Sequence, residues 1–248
     1  MFSVLVEITA GSRFYRHFTE KIMGSFDVAD FVSKLIIYLI VWIFAVSAHE
    51  AAHAWTSWKF GDDTAYRLGR VTLNPIPHID PIGTLLLPIL GFFISYSSAF
   101  NFPLIAWGKP TPVNPLKWRN KDTANVCVSI AGIVVNIFIA IIASIFIKLM
   151  ISQQIITEEN FQVGLIAVFF NFLYTMVLMN VGLAIFNLLP FPPLDGSKVL
   201  QTFLPQSFEP LFNLLETYGF LILLVLVQLG VIRALVVPLN QFVLSLLF

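Results

Sequence analysis

The sequence predicts an all-α polytopic membrane protein, a bundle of about 4–6 transmembrane helices with one re-entrant or partial span. Three observations lead to this. Hydrophobic residues make up 58% of the 248 positions, charged residues only 11%, and the mean hydropathy is +0.86. A soluble domain runs nearer ~45–50% apolar and ~25% charged. Apolar runs long enough to cross a bilayer, for which about 20 residues suffice, recur along the chain. One further run is too short and is broken by proline and glycine.

Charge and cysteine content narrow the chemistry. Fourteen Lys and Arg balance fourteen Asp and Glu, so no basic excess points to nucleic acid. Cys127 is the single cysteine, which excludes an internal disulfide and any cysteine-based zinc or iron–sulfur site. A metal would have to sit on His, Asp, Glu or carbonyl ligands.

Residues 1–32 are expected to form a surface or interfacial arm. Glu7 interrupts its first apolar run, and Arg13, Arg16 and Lys21 follow that run rather than precede it, unlike a signal peptide. Residues 33–248 are expected to form one membrane domain. Leu35–Trp58 is the first spanning run. Pro81–Tyr96 carries Pro81, Gly83, Pro88 and Gly91 and suits a partial span. Ala124–Ile147, Val163–Leu189 and Leu211–Ile232 are spanning runs, and Ala234–Phe248, with Pro238, is a shorter tail that either spans or lies at the surface. Lys59–Asp80 and Asn101–Asp122 are polar, proline-rich connections. No repeat is visible.

Ionisable groups inside a membrane segment cost roughly 2.5–3.5 kcal/mol each on insertion scales and mark function. His49-Glu50-Ala51-Ala52-His53 places two imidazoles four residues apart, about 40° around a helix and one turn along it. That geometry fits one Zn²⁺, with Glu50 beside the open coordination position. Ala45, Ala48, Ala51, Ala52 and Ala54 thin the helix and permit close approach. Pro190, Pro192 and Pro193 stop the fourth helix and place Asp195 on irregular, protein-enclosed chain. There it can be a third metal ligand, or it can cap a short helix starting at Gly196 and Ser197. Gly132 and Asn136 share a face of the third helix. An Asn at such a place glues helices together or hydrogen-bonds a peptide. His78, in a proline-rich turn, is expected to be satisfied by backbone, and Asn171 and Asn180 are expected to pack helices.

These clusters resemble the site-2 protease family of intramembrane zinc metalloproteases, in its compact bacterial-type branch without a PDZ domain. H-E-x-x-H is His49 to His53. A-G-x-x-x-N is Ala131, Gly132 and Asn136. N-x-x-P-x-P-x-L-D-G is Asn187, Pro190, Pro192, Leu194, Asp195 and Gly196. Gly61-Asp62, Gly69-Arg70 and Lys109–Asn114 also fit, and Ile133 departs from a position where many members carry Pro.

The resemblance implies one Zn²⁺ per chain on His49, His53 and Asp195, Glu50 as general base, and Asn136 as a substrate-positioning residue. It implies that Trp107–Pro115 lies extended near the site, where it could take a substrate as an added strand. The implied activity is endopeptidase cleavage of membrane proteins within or near a transmembrane helix, after trimming by another protease, with the lipid bilayer as surroundings and no nucleic acid. A catalytically silent scaffold and a small ion-coupled transporter are the rival readings; the transporter is expected to show inverted repeats.

The clusters can meet on one side only if the segment 81–100 does not fully cross. That side carries Lys59, Arg67, Arg70, Lys109, Lys117, Arg119, Lys121 and Lys198, against Arg13, Arg16, Lys21, Lys34 and Lys148 on the other. The bias favours a multi-pass protein of the bacterial cytoplasmic membrane with its site toward the cytoplasm.

Overall fold

The computed structural model describes residues 28–97, 106–156 and 164–248. The first helix, α1, runs Val28–Lys59 and starts before the expected Leu35. The reason is local: Lys34, which ended the apolar run, pairs with Asp30 one turn earlier at 2.7 Å, so its charge is met on the helix. Residues 28–32 of the expected arm therefore belong to α1, and residues 1–27 lie outside the described residues.

A short helix α2 (Thr64–Arg67) and a 3-10 turn (Ile76–His78) follow. The partial span is a six-residue π turn, Pro81–Leu86, continued by α3 (Leu87–Ser97). The π turn starts on Asp80, whose carboxylate accepts from the backbone of Ile82 and Gly83. At ~1.5 Å per residue the two pieces reach about 25 Å, short of the ~30 Å hydrocarbon core. The chain then comes back: Trp107 N–H donates to Gly83 O at 3.2 Å, and Thr84 Oγ1 donates to Trp107 O at 2.9 Å. Residues 83 and 107 thus lie at one level, which fits the expected re-entrant segment.

Long helices α4 (Lys121–Ser152) and α5 (Gly164–Leu188) follow, the first capped by the Asn120 side chain on Thr123 N–H. Then come α6 (Asp195–Phe203), α7 (Glu209–Gln228) and α8 (Val231–Leu247). α7 and α8 form a hairpin about Gly230, whose φ of 77° is the left-handed conformation that favours glycine. α1, α4, α5 and α7 are long and apolar enough to cross a membrane, so this is an all-α, multi-pass membrane protein.

The core lies where α1, α4 and α5 pack. Val41, Ala45, Ala140, Val177 and Val181 are fully buried there, with Trp42 beside them. Alanine at Ala45, Ala48 and Ala54 lets α1 approach its neighbours closely, as a membrane bundle requires when lipid is as apolar as leucine. The outer faces, with Phe138, Leu221 and Phe242 all near 60% exposed, present apolar side chains to lipid. This packing brings the C-terminal end of α1, the N-terminal half of α4 and the start of α6 together.

Candidate metal centre

His49, Glu50 and His53 lie on the last turns of α1. Asp195 is the first residue of α6, not irregular chain as expected from the prolines. Pro190–Pro193 end α5, and the helix restarts at once, so the carboxylate sits on a rigid element. Its position in the first helical turn favours the charged form through the helix dipole. Gly196 makes this restart feasible: a Cβ there would lie 2.2 Å from Leu188 O.

The three ligand atoms converge. His49 Nε2 is 3.1 Å and His53 Nε2 3.2 Å from Asp195 Oδ2, and the two Nε2 atoms are 2.9 Å apart. Donors around a tetrahedral ion at ~2.0–2.1 Å stand about 3.3 Å apart, so the triangle fits. The outer partners fix the chemistry. His53 Nδ1 is 2.7 Å from Val128 O, and a carbonyl only accepts, so His53 carries its proton on Nδ1 and presents a bare Nε2. His49 Nδ1 is 2.7 Å from Asn136 Oδ1, which gives the same tautomer. With neutral imidazoles, two Nε2 lone pairs and a carboxylate oxygen face one another, all buried, an arrangement that a cation between them satisfies. Among the described residues, His49, His53 and Asp195 are the group able to hold a metal ion.

Gly132 is the floor under His49. A Cβ at 132 would fall 2.5 Å from its Cε1 and Nδ1. Asn136 is fully buried and its amide is spent: Oδ1 on His49, Nδ2 on Ala45 O at 3.2 Å and on Asn180 Oδ1 at 2.8 Å. It does not face the cavity beside the metal ligands. Asn136 sits behind His49 and orients it, and its Nδ2 ties α4 to α1 and α5, the interhelical bonding expected of an Asn there.

The extended segment runs beside the motif. Residues 106–114 are without helix or strand pairing and lie along α1. Thr111 N–H donates to Glu50 Oε2 at 2.8 Å and its hydroxyl donates to Glu50 O at 2.9 Å. Lys109 N–H donates to His78 O at 2.9 Å. Backbone N–H groups of 107, 109 and 111 are therefore spent inside the protein, and the two-residue alternation of an extended chain puts Gly108, Pro110 and Pro112 on the opposite edge. Thr111 was not singled out from sequence; its signal is that it alone keeps an N–H between two prolines.

Asp62 anchors the far end of the segment. Its fully buried carboxylate accepts from Asn114 N–H at 2.7 Å, Ser57 Oγ at 3.0 Å and Thr64 N–H at 3.0 Å. Burial alone would raise its pKa, but the hydrogen bonds from Thr64, Asn114 and Ser57 prevail and hold it below the usual carboxylate value. His78 is buried, with Nε2 3.0 Å from Thr72 O, as expected of a loop histidine met by backbone. Its Nδ1 has no partner among the described residues.

A cavity of about 690 Å³ opens on His49, Glu50, His53 and Asp195. Trp42, Val46, Trp107, Phe186 and Phe220 make it largely apolar, and Asn125, Lys198 and Glu216 give it a polar side. α7 closes one wall by two contacts, Phe220 edge-on to Trp107 at 5.4 Å and Gly219 against Pro192 O.

Comparison with known proteins decides the family. A Bacillus subtilis (strain 168) protein, "Putative zinc metalloprotease YwhC", is 38% identical over 192 residues, 77% of this chain and 78% of the relative. Residues 117–230 match the family model Peptidase family M50. The chain belongs to peptidase family M50, the site-2 proteases. Two mycobacterial proteins named "Putative zinc metalloprotease Rip2" are more distant. That of Mycolicibacterium smegmatis (strain ATCC 700084 / mc(2)155) is 28% identical, and that of Mycobacterium tuberculosis (strain ATCC 25618 / H37Rv) 25%, each over 79% of this chain and 68% of the relative. No solved structure matches. The M50 match spans Asn136 and Asp195, and His49, Glu50 and His53 precede it on α1. Zinc is the cofactor of this M50 chain, and the site has the donors to hold it.

Proposed function

We propose that this M50 protein is an intramembrane endopeptidase that hydrolyses peptide bonds within or near transmembrane segments of other membrane proteins. The observation that carries this is Glu50, held by Thr111 beside a buried His49–His53–Asp195 triad, on the wall of a largely apolar cavity. A purely structural metal site has no use for a base next to it.

His49, His53 and Asp195 would hold the ion, which when bound supplies Lewis acidity toward a water and toward the scissile carbonyl. Glu50 does the proton work. Its Oε2 is tied to Thr111 N–H, so Oε1 is free to take a proton from the attacking water. The water oxygen bonds to the carbonyl carbon, the C–N bond breaks, and Glu50 returns the proton to the leaving amine. A helical substrate hides its carbonyls in i→i−4 bonds and must unwind first. The outward edge at Gly108, Pro110 and Pro112, one N–H and three carbonyls, supports pairing with such an unwound strand. Trp42, Trp107 and Phe186 offer it apolar surroundings.

The charge bias supports a site facing the cytoplasm of a bacterial cell. The test is Glu50→Gln against a membrane-tethered reporter substrate. The variant should keep zinc and lose cleavage. A variant that still cleaves would remove the protease mechanism and leave the scaffold or transporter readings.

A further inference from the structure

Asn180 lies in the middle of apolar α5, is fully buried, and takes no part in the mechanism above. Its two amide atoms are committed in opposite directions. Nδ2 donates to Met176 O of its own helix at 2.8 Å, and Oδ1 accepts from Asn136 Nδ2 at 2.8 Å. Asn136 Nδ2 also reaches Ala45 O, and Asn136 Oδ1 meets His49 Nδ1.

This is a one-way chain. A backbone carbonyl cannot donate, so Met176 O fixes which end of the Asn180 amide is the oxygen. That oxygen, with Ala45 O, fixes the Asn136 amide, and Asn136 Oδ1 then requires a proton on His49 Nδ1. The end product is a bare His49 Nε2 aimed at Asp195 and His53. A flipped Asn136 would set an NH₂ group against His49 Nδ1, move the imidazole proton to Nε2, and spoil a metal ligand. Packing alone would ask only for a side chain of this size on α5.

We propose that Asn180 is a positioning residue for the metal centre, fixing the tautomer and ring orientation of His49 through Asn136. The inference rests on the zinc-protease reading of the site and extends it to a group on a fourth helix, α5, about two residues removed from the metal along hydrogen bonds. Outer partners of metal ligands typically change affinity 10–100-fold when removed.

The experiment uses the full-length protein in detergent. Zinc alone is titrated against a competing chelator, and Co²⁺ is substituted as a spectroscopic probe, for wild type, Asn180→Leu, Asn180→Asp and His49→Ala. Leucine keeps the volume and removes both hydrogen bonds. A protonated aspartic acid in this buried place keeps the same polarity, O–H toward Met176 O and C=O toward Asn136. The proposal expects a 10–100-fold loss of zinc affinity and an altered Co²⁺ spectrum in Asn180→Leu. It expects recovery of both in Asn180→Asp. Wild-type affinity and spectrum in Asn180→Leu would overturn it, as would equal loss in both Asn180 variants, since helix packing would then explain everything. If Asn180→Leu does not fold, Asn180→Asp decides: a wild-type spectrum supports the proposal and an altered one overturns it. No zinc in wild type, matching His49→Ala, would instead bring down the metal-site reading itself, and the proposal with it.

Discussion

Gly132→Ala adds one methyl group to α4, and its consequence can be worked out from the positions of three atoms. The new Cβ would stand 2.5 Å from His49 Cε1 and Nδ1 and 2.6 Å from Nε2. Non-bonded carbon contacts settle at ~3.5–4.0 Å, so about 1 Å of retreat is needed. α4 is poorly placed to provide it, because Ser129, Ile133 and Asn136 around the glycine are all buried. The imidazole has to move instead. Metal–ligand distances tolerate about ±0.2 Å, so a 1 Å shift takes His49 Nε2 out of the first shell or bends the site. We expect zinc affinity to fall about 10–100-fold, which is roughly 1.4–2.7 kcal/mol. Cleavage at saturating zinc should fall on the order of 100-fold, the usual cost of a 1 Å misplacement in an active site. Overpacking should also lower the stability of the metal-free protein by about 1–3 kcal/mol. Chelator competition gives the affinity, a reporter-substrate assay the rate, and thermal melting without metal the stability. Zinc binding within threefold of wild type together with an unchanged rate would refute the reasoning, since it would mean that His49 has room the structure does not show.

Other expectations follow from the same geometry. Thr111→Pro removes the N–H that holds Glu50 Oε2; zinc content should stay at one per chain while kcat falls about 10-fold or more through a misaligned base. Asp62→Ala leaves Asn114 N–H, Ser57 and Thr64 without their acceptor; at about 1–3 kcal/mol per buried group left unpaired it should loosen the extended segment and show as proteolysis between Lys109 and Lys117. Because the folded Asp62 pKa is depressed, its contribution is complete above the unfolded value of about 3.9 and disappears as pH falls through the folded value. An acid-melting series should therefore show this loss in wild type and not in Asp62→Asn. Stripping zinc with a chelator should lower the melting temperature; at zinc one hundred times Kd the difference is about 2.7 kcal/mol. Identical melting with and without zinc would argue against a bound ion.

What the sequence made legible was whatever had a local pattern. The four long helices follow from apolar run length, and the ligand pair from one turn of α1. The re-entrant segment is legible from Pro81, Gly83 and its shortness. Asp195 was placed correctly as a partner for the histidines but wrongly off-helix, because three prolines signal the end of α5 more loudly than the start of α6. Asn136 was legible as interhelical glue, which its bonds to Ala45 O and Asn180 Oδ1 are, but its hydrogen bond to His49 across 87 residues has no local pattern to announce it. The clamp of Thr111 on Glu50 spans 61 residues and depends on the path of a loop without periodicity, so no pattern announces it. Asn180 could be suspected only as a polar residue in an apolar helix.

The alternation along residues 107–112 has a consequence for the protein in a crowded bilayer. An unpaired extended edge is a hazard, because a second copy could zip onto it and begin an open-ended polymer. Here the outward edge holds carbonyls at 108, 110 and 112 but a single N–H, that of Gly108, since prolines occupy the other two places. Two such edges brought together would set acceptor against acceptor. A strand with N–H groups to spare, such as the unwound substrate helix proposed above, would find complementary partners there, whereas a second copy of the same edge would not.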